Sequence, residues 1–372
     1  MKRKIQQHYF LSFLFLLLPA HTYAAKSNTV IATINTGITP TGIAITPDNH
    51  FAYVANNNNY GLTGEDSVSV LKLKNNTVKQ TIFHSSFNQP YTITINPNGT
   101  RAYVTNSNST TISIINTATN HVVGIIDGFD GPSGMVITPT CNRAYVNNYG
   151  GPEGVGSGNG TTVSVVNLNN NTIIATIPVG LAPAALALTP DGKYVYVANY
   201  VDGNTGTGII SIIQTSNNTV VGTIPGFSGP FAIAIAPNGK YAYVTNFGSN
   251  NFEPIGTTVS VIKLKNGTIV ATIDLGIQPA GIAITSDGRF AYVTNYNALY
   301  AGSNFTDLTA GQGTVNIIDI DKNEVVSPTI AVGQSPANIA ISPNGKHAYV
   351  SNFTSNTVNV IALPHLKKWH AS

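Results

Sequence analysis

The sequence predicts an all-β fold, a seven-bladed β-propeller of four-stranded antiparallel blades whose ring is closed by the N-terminal strand completing the last blade. Three observations predict it. The first is a repeat. "FAYVAN" (Phe51 to Asn56) returns six more times with small changes, and its tyrosines, Tyr53, Tyr103, Tyr145, Tyr196, Tyr243, Tyr292 and Tyr349, lie 50, 42, 51, 47, 49 and 57 residues apart. Periods of this length mark propeller blades. The second is composition: charged residues make up 9% of the 372-residue chain, far below the usual quarter. Asn, Thr, Gly, Val and Ile fill the gap, a mixture that favours strands and turns. The third is a strand count that closes a ring.

Each repeat carries four strand signals. The first strand follows a proline and alternates small with branched residues, as in "GIAIT" after Pro40 and "FAIAI" after Pro230. A tight turn of the "PDG" or "PNG" kind follows, seen at Pro190-Asp191-Gly192 and Pro237-Asn238-Gly239, which is hairpin chemistry. The motif strand comes second. A third strand resembles "SVSVLKL" (Ser67 to Leu73), and after an Asn-rich turn a fourth resembles "TIIATI". Seven first, second and third strands occur, but only six repeats are followed by a fourth, because the chain ends soon after "TVNVIAL" (Thr357 to Leu363). The missing strand lies at the other end, where "TVIATI" (Thr29 to Ile34) precedes the first repeat. Its pairing with the last blade would remove a long exposed edge. Two packed β-sandwiches would leave that orphan strand unexplained.

These units resemble the YVTN-repeat β-propellers, a group with exported bacterial and surface-layer-like members. The resemblance runs from about Thr29 to Leu363 and rests on the ordered proline, turn, "YVTN"-like strand and "TVSVI"-like strand. It implies the propeller fold and supplies no shared catalytic signature. Departures are local: "PTCN" (Pro139 to Asn142) replaces the third turn, and Ser286 stands where proline is usual.

Residues 1–25 read as a secretory signal peptide, with basic Lys2, Arg3 and Lys4, an apolar run from Phe10 to Ala20, and small residues for cleavage. The run is too short for a membrane span, so the mature chain is expected to be exported, to the periplasm, cell surface or medium, with no transmembrane segment. Residues 26–364 then form one propeller domain and residues 365–372 a short tail holding Lys367, Lys368 and Trp369. The net charge of +3 disappears with the leader, which carries no acidic residue. A neutral chain with scattered lysines argues against a nucleic-acid partner, since phosphate neutralisation dominates such affinity. Cys141 is the sole cysteine, so packing must hold the fold.

Function is sought on the face where second-to-third loops emerge, because loop variation on a rigid scaffold is where binding tends to reside. These loops range from Ser107 to Thr110 and Phe353 to Asn356, four residues each, up to Tyr296 to Gly313. The motif Asn is expected to hold the turn into that rim through local backbone bonds. Five residues just after it are aromatic: Tyr149, Tyr200, Phe247, Tyr296 and Phe353. Packing between blades is the plainer role for these rings. Stacking on a sugar or an apolar partner side chain is the functional one, and these five are the candidate ligand-binding residues.

Catalytic signals are sparse. No "GxSxG", "HExxH" or Cys/His metal spacing occurs, and no catalytic or metal residue is assigned. His84 with Glu65 or Asp66 is the best acid–base pairing for a lactonase or lyase working at the channel mouth. The expected chain carries no cofactor. Ca²⁺ is the minor alternative, drawing on Glu65, Asp66, Glu153, Asp202, Glu253 and Asp307, since it takes six to eight oxygens. The reading is an exported, monomeric binding scaffold, more a binder than an enzyme, engaging a protein or carbohydrate at the loop rim. A propeller enzyme or a self-assembling surface component is the alternative.

Overall fold

Each letter of the repeated motif does separate work in the fold. The computed structural model describes residues 27–58, 64–151, 158–201, 207–248, 255–300 and 308–364. Residues 1–25, expected from the sequence to be a leader, and residues 365–372 lie outside them. Among the described residues no helix is long and apolar enough to cross a membrane.

Blade 1 runs from its inner strand Pro40–Ile45 through Phe51–Asn56 and Ser67–Lys72 to its outer strand Thr77–Phe83. Six further four-stranded antiparallel sheets repeat this order. The inner strands of blades 2 to 7 begin at Pro90, Pro132, Leu181, Pro230, Pro279 and Pro336. In blade 7, Thr29–Asn35 pairs antiparallel with Thr357–Ala362 as the outer strand. The predicted closure is therefore the observed one. Inner strands touch their neighbours all the way round, blade 7 against blade 1 included.

The motif strands are buried on both faces, and their alternation splits between two neighbours. In blade 1, Ala52 and Val54 pack back against Val358 and Tyr349 of blade 7. Tyr53 and Ala55 pack forward against Ala102 and Val104 of blade 2. The same division recurs round the ring, giving a separate apolar core at each of the seven blade junctions.

Polar groups lock these junctions. The Tyr53 hydroxyl donates to Asn120 Oδ1 (2.5 Å) in the outer turn of blade 2, and Tyr145 and Tyr243 reach Asn218 (2.7 Å) and Asn323 (2.9 Å) in the same way. Tyr292 reaches Asn28 (2.8 Å), just ahead of the closing strand. The residue before the motif Asn ties the inner strands. Thr105 donates to the Ser133 carbonyl (3.2 Å), Thr245 to that of Ala280 (2.9 Å), and Ser351 across the closure to that of Thr41.

The motif Asn works differently from the sequence expectation. It clasps its own third strand instead of bonding to the loop backbone. Asn56 Nδ2 donates to Ser67 Oγ (3.1 Å) and Ser69 Oγ (2.9 Å), and Asn246 Nδ2 to Thr258 Oγ1 and Ser260 Oγ (both 2.9 Å). Two third-strand hydroxyls lie beneath the amide because alternate residues of a strand share a face. The structural role stands, but it is a cross-strand one.

Candidate functional site

The site grows from a strained entry to each inner strand. The residue before the inner-strand proline has a left-handed backbone in every blade: Thr39 (φ 48°), Gln89 (50°), Gly131 (55°), Ala182 (52°), Gly229 (56°), Gln278 (54°) and Ser335 (51°). Five of these carry a side chain, and Thr39 is β-branched, so they hold conformations such residues avoid. The kink aims that residue's own carbonyl at the N–H of the residue after the motif Asn. The N–H of Phe247 donates to Gly229 O (2.9 Å), that of Tyr296 to Gln278 O (2.9 Å) and that of Phe353 to Ser335 O (2.9 Å). Backbone strain and motif Asn together fix where the aromatic rings start.

The rings then meet. Tyr200 lies edge-on to Phe231 (centroids 6.5 Å apart), Phe231 against Phe247 (5.0 Å), Phe247 against Tyr296 (6.0 Å) and Tyr296 against Phe353 (6.2 Å). These separations suit offset and edge-to-face pairs, each worth about 0.5–1.5 kcal/mol beyond burial. The result is an unbroken arc across blades 4 to 7. Four of the five sequence candidates belong to it. Tyr149 faces the arc across the mouth, lining a cavity with Phe231 and Phe353.

Packing and exposure divide among them. Tyr200 and Phe353 are buried, and the Tyr200 hydroxyl donates to the Gly248 carbonyl. Those two rings brace blades. Tyr149, Phe247 and Tyr296 are half-buried and keep surface toward the opening. Burial lifts the Tyr149 hydroxyl above its usual pKa, so it stays a neutral hydrogen-bonding group.

Two wall residues went unread in the sequence. Tyr91 and Phe231 follow the inner-strand proline of blades 2 and 5, and the other blades carry Thr41, Ser133, Ala184, Ala280 and Ala337 there. All seven line the axial cavities. Aligning the prolines instead of the tyrosines exposes the signal: five small residues and two aromatics.

Two spaces that share Thr41, Tyr91 and Phe231 as lining residues occupy the axis. One of about 370 Å³ is lined by inner-strand residues of all seven blades together with Phe247, Tyr296 and Phe353. The other, about 180 Å³, opens beside blades 1 to 3. Among the described residues lining either space there is no carboxylate, imidazole, amine or guanidinium. A larger groove of about 970 Å³ lies on the hairpin side, between blades 4 and 5, walled by turn residues such as Pro190, Gly239 and Asn266.

Among the described residues, His84 pairs with no carboxylate. Its exposed ring accepts at Nδ1 from the Ser86 N–H (3.1 Å) and meets Ser86 Oγ at 2.8 Å, closing the turn into blade 2. Asp66 is tied to the smaller space only through Gln89, which lines it. Its Oδ2 accepts the Gln89 N–H (2.8 Å), and burial raises its pKa despite that bond. Of the carboxylates considered for Ca²⁺, Glu153, Asp202, Glu253 and Asp307 lie outside the described residues.

Comparison with known proteins places this geometry. The family model described as "Lactonase, 7-bladed beta-propeller" matches residues 20–137 and 211–365. Among curated proteins, the Mycobacterium tuberculosis seven-bladed beta-propeller protein Rv1057 is 29% identical over 118 residues, covering 32% of this chain and 28% of its own length. The PE-PGRS family protein PE_PGRS18 of the same organism is 48% identical over 59 residues, 16% of this chain and 13% of its own. The chain thus spans under a third of either relative. Among solved structures, Kuenenia stuttgartiensis hydrazine synthase superposes with a TM-score of 0.72 at 21% identity, covering 87% of this chain and 95% of that one, a likeness of fold. The repeat, the closed ring and the family match together make this chain a member of the lactonase-type seven-bladed β-propeller family.

Proposed function

We propose that this chain is an exported binding propeller of the YVTN-repeat kind that takes an uncharged, ring-bearing ligand or partner group at its channel mouth. The observation that carries the reading is the continuous arc from Tyr200 through Phe231, Phe247 and Tyr296 to Phe353. A stacked arc on a rigid scaffold costs little ordering when a ligand arrives. Apolar walls with a few placed polar groups are the usual make-up of a ligand pocket. The neutral lining favours an uncharged ligand, since a buried unpaired charge is costly. The expected partner is a protein or carbohydrate, and the expected state is a monomer. Titrating the chain with indole as a ring probe, followed by ligand-observed NMR, tests the reading. Binding is expected, weakened about tenfold or more in Phe247→Ala and Tyr296→Ala; unchanged binding in both would exclude the arc.

A second reading, hydrolysis of a lactone at the same mouth, draws on the family match and on Asp66. A carboxyl with a raised pKa beside a pocket is a candidate acid or base. Under this reading the chain opens simple lactones and Asp66→Asn abolishes turnover. Under the binding reading neither protein shows turnover.

A further inference from the structure

One blade junction lacks the amide that locks the others. Each motif tyrosine faces the outer turn of the next blade. Six of these turns seat Asn28, Asn76, Asn120, Asn171, Asn218 or Asn323, and blade 5 alone seats Gly267. Gly267 keeps the left-handed backbone of that seat (φ 64°) without the side chain. Five junctions make the bond, Tyr349 to Asn76 (3.5 Å) completing the set. Tyr103 and Asn171 go unbonded, but there the amide still fills its seat. Tyr196, facing Gly267, is 4% exposed, and its hydroxyl makes no hydrogen bond among the described residues. The groove of about 970 Å³ opens at this same junction, with Tyr196 and Gly267 both in its wall. The hydroxyl is not among the enclosed partnerless atoms of the structure, so a ligand in the groove can reach it.

The walls combine two kinds of surface. Tyr196 and Ile224 are buried, and Tyr194, Ile212 and Leu264 half-buried, so the floor is the edge of the core between blades 4 and 5. Beside it stand Lys240, Lys263 and Lys265 of blade 5, all exposed. They pair with no carboxylate among the described residues. The one acid of the wall, Asp191, is already held by Lys193 (3.5 Å). Unpaired ammonium groups beside an apolar floor match a ligand that is acidic and apolar at once. An acidic glycan or polyphosphate would answer the lysines and leave the floor wet, and a neutral apolar segment would do the reverse. Residues 365–372 hold Lys367 and Lys368 and no acid, so the chain's own tail does not complement the groove.

We propose that this groove docks a peptide segment of a partner protein in which apolar side chains adjoin carboxylates. The apolar side chains cover Tyr194, Ile212 and Leu264, the carboxylates meet the three lysines, and a peptide carbonyl accepts from the Tyr196 hydroxyl. Exposed charges of this kind orient a partner and speed its arrival more than they hold it, and salt screens them. The groove lies on the hairpin side and shares no lining residue with the axial mouth, so the proposal stands apart from the binding reading there.

The test is fluorescence anisotropy on the full chain with short fluorescein-labelled peptides, a Phe-Leu-Tyr centre flanked by Glu on both sides. Wild type is expected to bind, with an affinity that falls as NaCl is added. Lys240→Glu combined with Lys265→Glu is expected to weaken binding at least about tenfold, since like charges then meet. Gly267→Asn restores the amide of the other blades, and a Cβ there meets Ile224 at an ordinary 3.6 Å. That variant is expected to engage Tyr196, raise the urea midpoint and weaken the peptide at least about threefold. Indole binding at the mouth is expected to be unchanged in both variants. Polyglutamate and heparin serve as purely anionic competitors. If either displaced the label as well as the unlabelled peptide does, the groove would be a bare polyanion surface and the proposal overturned. A wild type that binds no peptide would overturn it too, as would peptide binding unaltered by both the double reversal and Gly267→Asn.

Discussion

Asn246 shows how one side chain sets the path of a whole rim. Its amide nitrogen serves two hydroxyls of the neighbouring strand, and the next residue, Phe247, has its N–H held by the kinked Gly229. Replacing Asn246 by Ala removes two neutral hydrogen bonds that the Thr258 and Ser260 hydroxyls accept. The expected cost is about 1–2 kcal/mol, read as a lower urea midpoint with an unchanged slope. Asp66 makes a different kind of prediction. Burial raises its pKa above 3.8, the Gln89 N–H working against it. The folded chain therefore holds that proton more tightly than the unfolded chain. The ionised carboxylate costs stability above the folded pKa, and the cost fades as pH falls to 3.8 and below. Asp66→Asn keeps an acceptor for Gln89. It is expected to raise the melting temperature at pH 7, with the gain vanishing in strong acid; a gain that persisted there would contradict this assignment.

At the scale of the strand and turn, most of the architecture was legible because the chain repeats it. Proline, turn, motif strand and third strand recur in order, so their number and the orphan at Thr29–Asn35 gave the ring and its closure before any coordinates. The site was legible only in part. The aromatics after the motif Asn stood out by position, whereas Tyr91 and Phe231 were hidden in an alternating strand whose channel-facing side the pattern alone leaves open. The motif Asn was read as a turn residue because Asn is one elsewhere in this chain: Asn76, Asn120, Asn171, Asn218 and Asn323 adopt left-handed φ between 54° and 57° in the outer turns. The inner turns use glycine at the corresponding position in five blades, but Asn49 and Cys141 occupy it in blades 1 and 3, Cys141 at φ 57°. Left-handed strain of about 1–2 kcal/mol outweighs the entropic cost of glycine, about 0.5–1 kcal/mol. Cys141→Gly is therefore expected to stabilise by up to about 1 kcal/mol in urea unfolding.

For the whole molecule, the closing strand decides whether the blades act as one body. Thr29–Asn35 covers the edge of Thr357–Ala362, and Asn28 accepts from Tyr292 of blade 6. Deleting residues 27–35 would leave blade 7 with three strands and an open edge, a template for intermolecular pairing. The expected outcome is aggregation and loss of a single cooperative transition; a monomer unfolding like the full chain would mean that closure contributes little. The closed ring in turn presents seven inner strands to one axis and holds the aromatic arc in register above them. The central claim is that this axial mouth, and not the larger groove between blades 4 and 5, is where the molecule binds its uncharged ligand. The most direct measurement is a crystal structure after soaking with indole and methyl glycosides. Ring density is expected against Phe247 and Tyr296, or between Tyr91 and Tyr149. Density confined to the hairpin-side groove at Pro190 and Gly239, with an empty mouth, would contradict it.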